Sequence, residues 1–136
     1  MGSKKQTFPD NLEILIKKRA VREERERAIR EEARRARKAT AERVMTAAAD
    51  LFRDVAQRFP AELEFRDQRT PGATMQKVLL VWKPRPDETI VVTANGDDGR
   101  LAVELRGEDR SWPGTPGKNG AVSAKLRKEI RRLVKG

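Results

Sequence analysis

Between Pro9 and Pro60 the chain runs for 50 residues without a proline or a glycine. A stretch with no breaker is free to continue as one helix, and at the standard rise 50 residues make a rod of roughly 75 Å, against roughly 27 Å for an eight-residue strand. One end of such a helix is expected to project past any sheet it packs on, or the helix must bend. Asp10 followed by Glu13 has the spacing of a capping box, which puts the expected helix start there.

The two halves of this stretch differ. Val44, Ala48, Leu51, Phe52, Val55 and Phe59 recur at intervals of three and four, so residues 40–59 read as an amphipathic helix with a face for a core. Residues 19–38 hold fourteen charged side chains, and Glu23/Arg27, Glu26/Arg30 and Glu31/Arg35 have helix-supporting i,i+4 spacing. The division expected is a projecting charged extension over residues 1–38 and a compact α+β domain over residues 39–136. Leu12, Ile14, Leu15 and Ile16 form an apolar knot within the extension, suited to a protein partner or to a homodimer through the N-terminal helix. A heptad line through Ile14, Val21 and Ala28 fails at Arg35 and gives a long coiled coil little support.

After Pro60 the period changes from helical to alternating. Residues 62–66, 75–83, 89–94 and 101–105 read as four strands of an antiparallel meander. Val78 to Trp82 and Ile90 to Val92 are apolar on both faces, which places them centrally and leaves a second sheet face for a dimer to cover. Asn95 to Gly99 reads as a hairpin turn, and residues 107–120, with Pro113-Gly114-Thr115-Pro116-Gly117, as a loop. A last helix over residues 122–135 sets Val122, Leu126, Ile130 and Leu133 on one face and Lys125, Lys128, Arg132 and Lys135 almost opposite. The fold expected is therefore α+β: a long N-terminal helix, a four-stranded meander and a C-terminal basic amphipathic helix. A meander followed by one helix, entered through Pro116-Gly117-Lys118-Asn119-Gly120, resembles in topology the whirly-type single-stranded-DNA-binding domains over about the last half of the chain.

Charge and missing residue types narrow the function classes. The formal charge is +10, with 16 Lys or Arg against 10 Asp or Glu in residues 1–60, 9 against 10 in residues 61–120, and 6 against 1 in residues 121–136. Excess positive charge gathered at the ends favours a polyanion. The chain has no cysteine and no histidine, which removes disulfides, thiolate zinc sites and the commonest general base. No catalytic residues, cofactor or metal site are expected. Asp87 with Glu104 has Arg106 where a nuclease would place a lysine, and Asn95, Asp97 and Asp98 lack the spacing of a calcium loop.

The function expected is non-enzymatic binding of nucleic acid, DNA or RNA, through phosphates and with little sequence selectivity. Its candidate contacts are Lys125, Arg127, Lys128, Arg131, Arg132 and Lys135 of the last helix, Lys118 of the loop before it, and Arg34, Arg37 and Lys38 of the long helix. The alternative is a protein-interaction or oligomerisation module acting through the long helix. No membrane span or signal-peptide core is visible, and a cytoplasmic location is expected.

Overall fold

A computed structural model of the chain describes residues 7–111 and 119–136. The elements are α1 (Phe8–Arg58), β1 (Leu63–Asp67), β2 (Met75–Trp82), β3 (Thr89–Asn95), β4 (Leu101–Leu105), β5 (Glu108–Asp109) and α2 (Asn119–Lys135). The chain divides into two compact units, residues 1–35 and 36–136.

In the first unit, helix α1 begins three residues ahead of the expected cap. Thr7 and Asp10 form the reciprocal pair: the Asp10 carboxylate accepts from the Thr7 amide at 3.3 Å and from its hydroxyl at 2.8 Å, while Thr7 Oγ1 accepts from the Asp10 amide at 3.4 Å. Pro9 then sits in the first turn, where no amide donor is required of it. All described residues of this unit are exposed. Ion pairs join Lys17 to Glu13, Arg19 to Glu23 and Arg35 to Glu31 at i,i+4 spacing.

The second unit is a two-layer sandwich of helices on a sheet. The strands pair in sequence order, β1-β2-β3-β4-β5, all antiparallel. One core holds Val78, Leu80, Ile90, Val92, Ala94, Leu101, Val103 and Leu105 from the strands, Val44, Met45, Ala48 and Phe52 from α1, and Val122, Leu126, Ile130 and Leu133 from α2. Strand residues of one parity supply it, so both helices cover the same face of the sheet. Phe59 departs from the expected α1 core face and stands 54% exposed. Pro60 stops the helix, and the Phe59 carbonyl accepts the amides of Glu62 and Leu63, turning the chain into β1.

The fifth strand corrects the expectation of four, since residues 108–109 fall within the segment expected as a loop. Leu105 pairs with Glu108 across a two-residue hairpin, and its central residues, Arg106 and Gly107, have φ of 55° and 79°, the left-handed pair that such a tight turn demands. On the opposite sheet face Leu79 of β2 pairs with Val91 of β3, bordered by Arg66 of β1 and Glu104 of β4. Leu79 and Val91 are half-buried, and Val81, on the same face between Glu64 and Thr89, is buried.

Candidate nucleic-acid interface

Helix α2 carries six cations and one acid, and the acid decides how the cations are arranged. Glu129 lies three residues after Leu126 and four before Leu133, inside the apolar arc. Its side chain is 0% exposed. An ionised carboxylate in that position requires partners, and three cations lean toward it. Arg110, just past β5, donates from Nε to Oε2 at 3.4 Å, while Arg132 Nη1 and Lys125 Nζ stand 3.6 and 3.7 Å from Oε1. Oε1 has these cations for neighbours yet accepts no hydrogen bond.

The expected stripe therefore separates into two groups. Lys125 and Arg132 lie on the flank of α2 and serve Glu129. Arg127, Lys128, Arg131 and Lys135 occupy the outward face, all exposed, and every exposed charge described on α2 is positive. Lys128, Arg131 and Lys135 follow one another at intervals of three and four, and Arg127 precedes Arg131 by four, which aligns them along the helix at the pitch of single turns.

Beside this face a cleft of about 290 Å³ is lined by Arg106, Glu108, Arg110, Arg132 and Lys135. Arg106 joins the β4–β5 hairpin to its surroundings: Nε donates to Glu88 at 3.0 Å and Nη2 to the Arg132 carbonyl, in the last turn of α2, at 3.3 Å. The cleft is thus cationic, but its guanidinium groups already hold partners.

The remaining candidates fall elsewhere. Arg37 packs on the β3–β4 turn, donating from Nε to the Asp97 carbonyl at 2.6 Å. Gly99, with φ of 70°, is buried against it, and a Cβ added there would meet Arg37 Cβ at 3.4 Å. Lys38 runs along the same turn beside Gly96 while remaining exposed. The turn is held from within as well, Asn95 Oδ1 accepting the Asp97 amide and Asp98 Oδ1 the Arg100 amide, each at 2.8 Å. Of its two acids Asp98 is engaged by a backbone amide, and the described residues contain no acidic cluster able to hold a metal ion. Arg34 is exposed in the first unit. Lys118 lies outside the described residues.

Leu12, Ile14, Leu15 and Ile16 are all exposed in the first unit, together with Phe8 and Val21. Among the described residues no helix is long and apolar enough to cross a membrane.

The burial of Glu129 was missed in reading the sequence because a glutamate on a cationic helix passes for part of the solvated face. Its i+3 and i−4 relation to Leu126 and Leu133 was the available signal. No family model, no curated protein and no solved structure matches the chain.

Proposed function

We propose that the protein binds nucleic acid without catalysing a reaction, contacting phosphates through Arg127, Lys128, Arg131 and Lys135 on the outward face of α2. The observation that supports this is the disposal of charge on one helix: its one acid is turned into the core and its exposed charges are all positive. Cations spaced by single turns suit successive phosphates, and such contacts discriminate little between sequences. Arg34, Lys38 and Lys118 remain further candidates for phosphate contact, each in its own part of the chain, and Lys125 and Arg132 reinforce the field of the α2 face from its flank. A cytoplasmic location accompanies this reading.

The test is a fluorescence-anisotropy titration of the full chain with labelled single-stranded DNA, duplex DNA and RNA at several salt concentrations. Binding that weakens steeply with salt supports the reading. Absence of binding to all three at low salt refutes it.

A second reading, a protein partner or homodimer engaged through α1, draws support from one specific observation. Phe8, Leu12, Leu15 and Ile16 are exposed near one another along the first unit, an apolar content out of keeping with a purely solvating helix. Sedimentation of the full chain and of the Leu12→Ser/Leu15→Ser/Ile16→Ser variant distinguishes a self-associating helix from an inert one.

A further inference from the structure

At the end of the second unit where α1 stops, an apolar slot of about 170 Å³ opens between the two helices and the sheet. Phe59, Leu63, Trp82, Ile130 and Val134 line it with Val55, and Glu62 is its one charged residue. Phe59 and Val134 stand 54% and 50% exposed, so two large apolar side chains on neighbouring elements are left facing water at one place. The chain has only six aromatic residues, four Phe and two Trp, and two of them meet here.

The slot adjoins the cationic face. Arg127 and Arg131 precede Ile130 and Val134 by three residues each, one helical turn, which brings each cation to within about 5–6 Å, Cβ to Cβ, of a slot-lining residue. Lys83, next to Trp82, is fixed at the same end by donating from Nζ to the Pro60 carbonyl at 2.9 Å. A ligand matched to this surface has a flat apolar body joined to an anionic chain. A nucleotide within a single strand has that form, since its base is free to leave the stack and lie against aromatic side chains while its phosphates meet the cations.

We infer that the Phe59–Trp82–Val134 slot takes one unpaired nucleobase of a single strand, while Arg127 and Arg131 hold the adjoining phosphates. This rests on the nucleic-acid reading and adds a preference to it: single strands over duplexes, and strands with bases over strands without them.

The test uses the full chain carrying Trp112→Phe, so that the emission reports Trp82 alone. It compares a mixed-sequence 12-nucleotide single strand, its duplex and the same strand with abasic central positions. The slot predicts quenching of Trp82 by the intact strand only and affinity about tenfold higher than for the abasic strand. Phe59→Ala removes that tenfold difference and leaves salt-dependent binding in place. Phe59→Leu, which keeps the apolar volume without the ring, serves if the alanine variant does not fold, and the abasic comparison needs no slot variant. Equal affinity for intact and abasic strands with unchanged Trp82 emission overturns the slot while phosphate binding stands. Quenching of Trp82 by a leucine-rich peptide and by none of the nucleic acids overturns it in favour of a protein partner. Failure of every nucleic acid to bind at low salt removes the underlying reading as well.

Discussion

Arg110, one residue past the short strand β5, reaches the buried carboxylate of Glu129 on α2, with Nε 3.4 Å from Oε2. This contact ties the last hairpin of the sheet to the helix that carries the candidate interface, and Arg132 and Lys125 complete the neutralisation from α2 itself. The same acid that α2 withdraws from its surface thereby orders the flank of its cationic face.

Removing the Glu129 carboxylate leaves three cations without their shared partner and opens a cavity in the core. A buried pair broken from one side costs about 3–5 kcal/mol, but these cations are partly exposed and can turn to water, so Glu129→Ala is expected to cost about 2–4 kcal/mol. Glu129→Leu fills the space and should cost less than the alanine variant. Urea denaturation of the three proteins tests the order.

Phe52 is fully buried where α1 meets the sheet. Phe52→Ala is expected to lose about 3–5 kcal/mol. Replacing exposed Leu15 by alanine should shift thermal unfolding of the isolated chain by no more than about 0.5 kcal/mol. A larger effect of Leu15→Ala would show that this side chain is buried in solution, as in a dimer.

The β3–β4 turn depends on Arg37 and Gly99 together. Gly99→Ala is expected to cost about 1–2 kcal/mol from its left-handed backbone alone. Arg37→Ala loses the bond to the Asp97 carbonyl, about 0.5–1.5 kcal/mol. Because the two residues touch, a double-mutant cycle should show coupling between them.

Asp67 introduces a pH dependence. The Arg69 side chain donates to it from Nε at 2.9 Å and Nη2 at 2.7 Å, and the Arg69 amide adds a third bond at 3.1 Å. These bonds, that of the guanidinium foremost, hold the Asp67 carboxyl below its ordinary range. A carboxyl depressed on folding contributes stability above its unfolded pKa of about 3.9 and loses it as the pH falls through the lower folded value. The pair is partly exposed, so the contribution is discounted to about 1 kcal/mol at most. Asp67→Asn should therefore be less stable than the parent at pH 7, with the gap closing as the pH falls below about 4.

Much of the fold was legible in the chain. The change from helical to alternating period after Pro60 located β1 to β4, because each has a core-facing parity of large apolar residues. β5 was not legible: it is Glu108-Asp109, and its pairing comes from the left-handed Arg106-Gly107 turn rather than from any strand propensity. Thr7 was not legible as the cap of α1, because Asp10 and Glu13 have capping-box spacing of their own. At the candidate interface, periodicity distinguished core from surface on α2 but could not tell outward cations from flanking ones. That distinction follows from Glu129, whose burial depends on Arg110 nineteen residues away. Arg37 likewise reads as a free cation until the β3–β4 turn is placed against it.

The most direct measurement is the salt dependence of nucleic-acid affinity for the parent chain and for Arg127→Glu/Lys128→Glu/Arg131→Glu/Lys135→Glu. Four phosphate contacts predict a log–log slope of about −3 to −4 for the parent, and loss of measurable binding at near-physiological salt for the reversed helix. A parent slope near zero, or a reversed helix that binds as tightly as the parent while folding normally, would contradict the assignment of the interface to the outward face of α2.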